Sequence, residues 1–370
     1  MPKRIISLIT VISLIMCLLT SCAMINKVEN ALGISKIKYK KAMKLIDDGD
    51  LQSAYDILSE IKEYKPAKEE LDKFHYVITT RSSVYASLDG KAVRSTITYQ
   101  YDEGGRIAQM KSTDPNGTVT TTDYEYDEHG NVIRYTSTTV TEGREPTTDT
   151  GGYEYEYDTN GNMLSKTYLN DKGEPTGQKI LYEYDEHNRL IKIIDTTPGY
   201  NTLTTAYTYD ESGNLVKETK SSHYQGDTEN IQESYEYTYD ANGNVTVKKS
   251  SPPSEYVSKY KYNGANVTKI YQDLGHGCWD EKCFSYDKNG NLISLLQTRT
   301  DYSSDYTAKL SLSYDDNGCC VSIVYWRSTY PTTTYTAEYR LIYATAEVDE
   351  EMYSDILDVL PNDTIYKMVL

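Results

Sequence analysis

Tyr235-Glu236-Tyr237-Thr238-Tyr239-Asp240-Ala241-Asn242-Gly243-Asn244-Val245-Thr246-Val247 reads as two strands and the turn between them. Three tyrosines at every second position share one face of a strand, because side chains alternate across the pleat. Asp240 follows, with a carboxylate able to accept from turn N–H groups. Asn242 suits the bridge region, and Gly243 supplies a positive φ. Val245 then opens a returning strand, so the spacing predicts a type I turn closed by a glycine bulge.

The same core, Tyr-Asp-x-x-Gly-Asn-apolar, recurs along the chain with anchor tyrosines at Tyr101, Tyr126, Tyr157, Tyr184, Tyr209, Tyr239, Tyr262, Tyr286 and Tyr314. Asn188 stands in for the glycine of its turn, and asparagine is the next best residue at positive φ. The turn after Tyr262 is one residue short, and Cys319 and Cys320 replace the asparagine and the apolar residue of the last unit. Tyrosine occurs 38 times against two phenylalanines and two tryptophans. The core must therefore be built largely of phenol rings, each with an apolar body and a hydroxyl wanting a partner. These features predict a mainly β chain: tandem antiparallel β-hairpins joined by polar loops into an extended coiled or spiral sheet, with a small N-terminal α-helical hairpin.

Tyr-Asp followed by Gly-Asn-apolar resembles the YD repeat of the Rhs and teneurin proteins, over residues 84–345. That resemblance implies β-ribbons wound into a spiral or shell on a cell surface. It also implies carbohydrate binding, adhesion or encapsulation of a toxin. Residues 346–370 read as an acidic helix, Asp349 to Leu360, and a tail.

Ahead of the repeats the period is helical. Ala42, Leu45 and Ile46, then Leu51, Ala54, Leu58 and Ile61, then Ala67, Leu71 and Phe74 fall at spacings of three and four. Gly49-Asp50 breaks the first run and Pro66 punctuates the later one. Residues 37–75 are thus expected to form a helical hairpin, with a further helical stretch after Pro66. Gly49 to Ala54 with Leu58 and Pro66 resembles the second half of a tetratricopeptide unit. Lys38 and Lys41 stand where that family has large apolar residues.

Residues 1–21 have a basic start, Lys3 and Arg4, and then an uncharged run from Ile5 to Leu19, the layout of a secretory signal. Leu19-Thr20-Ser21-Cys22 resembles the lipobox of bacterial lipoproteins, which implies cleavage before Cys22 and lipidation of its sulfur. Residues 22–36 read as a tether. A lipid-anchored, extracytoplasmic protein at the cell surface is expected, attached to the membrane through Cys22 by two or three acyl chains, enough for durable anchoring.

The formal net charge of −17, more negative still once Lys3 and Arg4 are removed, opposes nucleic-acid binding, which depends on neutralising phosphates. Glycans or proteins are the expected ligands. Trp279 and Trp326, the only tryptophans, lie off the tyrosine pattern and are candidates for stacking on a sugar ring; buried caps of the sheet are the competing reading. Cys278, Cys283, Cys319 and Cys320 are candidates for disulfides in an oxidising exterior. Their spacing suits zinc poorly, and no cofactor or metal is expected. The five histidines are scattered and no catalytic constellation stands out, so the expectation is not an enzyme. A surface protein binding cell-wall or host glycan, or mediating adhesion, is the leading reading. A scaffold recruiting a partner through the helices is the alternative, and a cell-wall glycan hydrolase a remote third.

Overall fold

The computed structural model describes residues 34–343 except 87–90, 103, 224–229, 252–254, 301–304 and 329. Cys22, the signal and most of the tether therefore lie outside the described residues, as does the C-terminal helix expected over 349–360. The chain divides into two compact units. The first takes residues 34–77, 102–106 and 339–343, and the second takes residues 78–101 and 107–338.

In the first unit the helical period yields α1 (Ile34–Asp47), α2 (Leu51–Glu60) and α3 (Lys65–Leu71). Gly49 has φ +81° after α1, and Asp50 caps α2 by accepting from the Ser53 N–H at 3.2 Å. Pro66 sits in the first turn of α3, where its missing N–H costs nothing. Ala42, Ala54, Leu58, Ile61 and Ala67 form the buried core with Phe74. Phe74, near the end of the expected helical stretch over 37–75, instead opens a strand.

Twenty strands follow among the described residues: β1 (Phe74–Ala86), β2 (Ala92–Tyr101), β3 (Ile107–Thr113), β4 (Val119–Tyr126), β5 (Val132–Val140), β6 (Thr147–Tyr157), β7 (Met163–Leu169), β8 (Pro175–Tyr184), β9 (Leu190–Thr196) and β10 (Thr202–Tyr209). The second half comprises β11 (Leu215–His223), β12 (Asn230–Tyr239), β13 (Val245–Ser250), β14 (Val257–Asn263), β15 (Asn266–Gly275), β16 (Cys278–Tyr286), β17 (Leu292–Thr300), β18 (Tyr306–Tyr314), β19 (Cys320–Arg327) and β20 (Tyr330–Tyr343). Each pairs with its sequence neighbours, and β20 pairs back onto β1. At this seam Thr79 Oγ1 donates to the Glu338 carbonyl at 3.2 Å.

The sheet is thus a closed 20-strand antiparallel barrel. Closure overturns the expected extended coiled or spiral sheet, and with it the resemblance to the Rhs and teneurin YD repeat and the picture of an open array of hairpin repeats. The tetratricopeptide resemblance is corrected with it: the helical part is three short helices. The physical reason is the edge. An open array leaves two rows of unpaired N–H and C=O groups, and only full closure removes both. The strand that supplies the closing edge, β1, lies mostly ahead of residue 84 and carries no Tyr-Asp turn to reveal it.

The turn chemistry has the expected geometry. Asp158 Oδ1 accepts from the N–H groups of Asn160 and Asn162, both at 2.8 Å, and the register shifts by one residue between Glu156 and Tyr157. Gly161 has φ +86°, and Asn188 has φ +59° at the equivalent place. Leu295, Leu310 and Ile323 are fully buried, each contributing about 1.5–3 kcal/mol of burial. Along β6, β8, β12 and β14 the tyrosines alternate with exposed Glu154, Glu156, Glu183, Glu236, Lys259 and Lys261.

Candidate functional site

The abundance of tyrosine has a structural explanation, from which two anchors, Tyr157 and Tyr184, depart. The last tyrosine of a hairpin's first strand reaches back to the preceding hairpin and donates its hydroxyl to a backbone carbonyl near the start of that hairpin's returning strand. Tyr126 bonds Ile107 O at 2.6 Å, Tyr209 bonds Leu190 O at 2.8 Å, Tyr239 bonds Leu215 O at 2.6 Å and Tyr262 bonds Val245 O at 2.8 Å. Tyr286 and Tyr314 repeat the contact with Val267 O and Leu292 O. Each hydroxyl thereby satisfies a carbonyl at the bulge, where the ladder is interrupted.

Tyr157 breaks the rule. In this hairpin the contact is made two residues earlier, Tyr155 donating to Val132 O at 2.8 Å. Tyr157 instead donates to Asp127 Oδ2 at 2.9 Å and accepts from Asn131 Nδ2 at 2.6 Å. His129 stacks on its ring, with centroids 4.1 Å apart and planes inclined by 22°.

The displacement traces to two glycines. Pairing between β5 and β6 ends at Arg134 opposite Gly152, five residues before Tyr157, whereas the pairing of β10 and β12 with the preceding hairpins ends at Ala206 and Glu236, three residues before Tyr209 and Tyr239. A Cβ on Gly152 would collide with the backbone carbonyl of Ile133, and one on Gly151 would lie 2.6 Å from the Tyr135 hydroxyl. The close approach therefore requires residues without side chains. Where the strands separate, a cleft of about 540 Å³ opens, lined by Asp127, Glu128, His129, Tyr153, Tyr155 and Tyr157 among others.

Burial raises the phenols of Tyr155 and Tyr157 well above the ordinary tyrosine range, helped by Tyr153 for the first and by the hydrogen bond to Asp127 for the second. Both stay protonated donors. Lys166 Nζ lies 3.9 Å from the Tyr153 ring centroid, and burial lowers its pKa. The cleft combines aromatic rings, fixed hydroxyls and carboxylates, the composition that orients a polar ring-shaped ligand.

The two tryptophans fall elsewhere. Trp279 on β16 is half-buried, and Trp326 on β19 is 42% exposed. Register carries Cys283 to Leu296, Leu296 to Lys309 and Lys309 to Trp326, so Trp279 and Trp326 share a face with β17 and β18 between them. They do not form one platform. The same two strands separate Cys278 and Cys283 from Cys320, and Cys319 immediately precedes β19. Three inter-strand spacings are about 14 Å, whereas a disulfide tolerates Cα separations up to about 7 Å. Sequence reasoning assigned the repeat tyrosines to structure and passed over His129 and Tyr157. The signals were Gly151-Gly152 inside an alternating strand and the 31-residue gap between anchors Tyr126 and Tyr157, the longest in the chain.

Comparison with known proteins adds loose structural likenesses. No family model and no curated protein matches the chain. Among solved structures it is similar to TcdB2-TccC3, at 13% identity and TM-score 0.30 over 73% of this chain and 18% of that one. It is also similar to a chain of the Photorhabdus luminescens Tc holotoxin pore, at 13% identity and TM-score 0.29 over 75% and 20%. A porin-like protein from Bacteroides uniformis matches at 13% identity and TM-score 0.33 over 70% and 96%. The chain thus spans about a fifth of the toxin chains it matches and nearly all of the porin-like one. No activity carries over at such similarity.

Proposed function

We propose that this is an extracytoplasmic glycan-binding protein, held to a membrane by lipid on Cys22, whose ligand site is the cleft around His129 and Tyr157. The observation that carries the reading is the departure of Tyr157 from the tyrosine ladder. A residue that elsewhere satisfies the backbone is here turned to a carboxylate and covered by an imidazole, beside an open cleft. Binding rather than catalysis is the role such a platform suits, and the cell-wall or host glycan expected from the sequence is the ligand class. Trp326, exposed and on the same face as exposed Leu296 and Val324, offers a second stacking surface, with Trp279 on that face too. The scaffold reading draws its support from Ile37, an apolar residue 68% exposed on α1.

The test is saturable binding of the full-length chain, in detergent, to a panel of purified glycans and cell-wall material. His129→Ala is expected to weaken binding about tenfold, since one stacked ring contributes about 0.5–1.5 kcal/mol and 1.4 kcal/mol is tenfold. Wild-type affinity in that variant moves the site to the tryptophans if Trp326→Ala abolishes binding, and no saturable binding in the wild type removes the glycan reading. Anchoring is checked separately: Cys22→Ala should shift the protein from the membrane to the soluble fraction.

A further inference from the structure

A second cleft lies one hairpin further along the same rim. It has a volume of about 510 Å³ and is lined by Asp158, Asn160, Tyr182, Tyr184, Glu186 and Asn188 among others. The turns after β4, β6 and β8 all fall on one end of an antiparallel meander. The first cleft lies between the turn after β4 and strand β6, and the second between the turns after β6 and β8. They share the β6–β7 hairpin: Tyr157 faces the first cleft and the adjoining Asp158 lines the second. One hairpin is two inter-strand spacings, about 10 Å, comparable with the length of a disaccharide.

The second cleft is held rigidly. Asn188 Oδ1 accepts from Asn160 Nδ2 at 3.1 Å and from Asn162 Nδ2 at 3.0 Å, tying consecutive turns together. Asn188 occupies positive φ, where glycine would serve the turn but leave no such tie. Acidic side chains predominate in the lining of both clefts, with Asp185 already paired to the Arg189 guanidinium at 2.7 Å. Asp127, Glu128 and Glu154 line the first, and Asp158, Asp185 and Glu186 line the second. The carboxyls of Asp158 and Asp185 are held below their ordinary range, the first by the Asn162 side chain and the second by the Arg189 N–H, so both stay charged. His129 is the only basic side chain lining either cleft.

We propose that the two clefts are consecutive subsites for one linear polysaccharide that carries amino groups, running across the hairpin turns from His129 to Asn188. This rests on the glycan reading above and adds the chain direction, the second subsite and the charge class. Aromatic rings stack on the sugar faces, while the carboxylates pair with ammonium groups and exclude uronate or phosphate chains. Occupying adjacent subsites makes the second contact intramolecular, which raises affinity with chain length.

The experiment is calorimetric titration of the full-length chain, in detergent, with glucosamine oligomers of two, four and six units and with their N-acetylated counterparts. Affinity is expected to rise about a hundredfold from two to four units, the lower end for linked sites, and to exceed that of the N-acetylated oligomers. Tyr184→Ala should abolish the gain. Glu186→Gln, at an exposed position that folding does not require, should reduce tetramer affinity. Equal affinity for dimer and tetramer, or a length dependence untouched by both variants, overturns the second subsite. Equal affinity for acetylated and free-amine chains overturns the charge class. Failure of every oligomer, including the dimer, counts against the glycan reading itself.

Discussion

The Tyr239 hydroxyl lies 2.6 Å from the carbonyl oxygen of Leu215 and donates to it across the boundary between two hairpins. The bond joins a strand's last residue to the bulge of the preceding hairpin and is repeated along the sheet. It explains why tyrosine is used where phenylalanine would pack equally well. Tyr239→Phe should therefore destabilise the fold by about 1 kcal/mol, the net value of one hydrogen bond to a partly buried carbonyl. The check is denaturant unfolding at constant m-value. Tyr124→Phe, at a tyrosine outside the ladder, should cost less.

Acid should weaken the turns together. The carboxyls of Asp158, Asp210 and Asp240 are held low, chiefly by the side chains of Asn162, Asn214 and Asn244. Their folded-state pKa lies below the unfolded value of about 3.9. The stability they contribute is present above that value and is lost as pH falls through the folded pKa. The melting temperature is expected to drop below about pH 4, and Asp240→Asn should flatten part of that drop.

Gly152→Ala should be far more damaging than Gly151→Ala. The first places a methyl against the fixed carbonyl of Ile133, whereas the second meets only the end of the Tyr135 side chain. Overpacking of the first kind costs about 1–3 kcal/mol. The loss of stability should be accompanied by loss of the His129–Tyr157 stack, seen as a change in the His129 ring resonances.

Lys248 lies with its ammonium 4.1 Å from the Tyr235 ring centroid, and burial lowers its pKa. The unfolded chain then holds its proton more tightly than the folded one, up to about pH 10.4. Stability contributed by this site should rise with pH between the depressed folded value and that limit. Lys248→Met should remove the rise without lowering stability at neutral pH, as alkaline denaturant titrations would show.

The turns were legible because their chemistry is local. Asp240, Asn242 and Gly243 carry the bulge within a few residues, and Asn188 takes positive φ for the reason its residue type suggests. The ligand cleft was not legible, because it depends on where two strands stop pairing. Tyr157 sits in the same Tyr-x-Tyr-Asp-x-Asn-Gly-Asn pattern as Tyr239, but lies five residues beyond the last pair of its strand with the preceding hairpin instead of three, and finds a different partner.

From the sequence alone came the strand period, the turn residues and the helical stretch, since propensity, periodicity and capping act over a few residues. Whether the sheet stays open or closes was decided by the tertiary structure. Closure depends on twist accumulated over twenty strands and on an edge strand, β1, that pairs with both β2 and β20. No local pattern in Phe74–Ala86 marks a partner more than two hundred residues away, as Thr79 and Glu338 are; that pairing exists only once every intervening strand has been laid down and its twist summed.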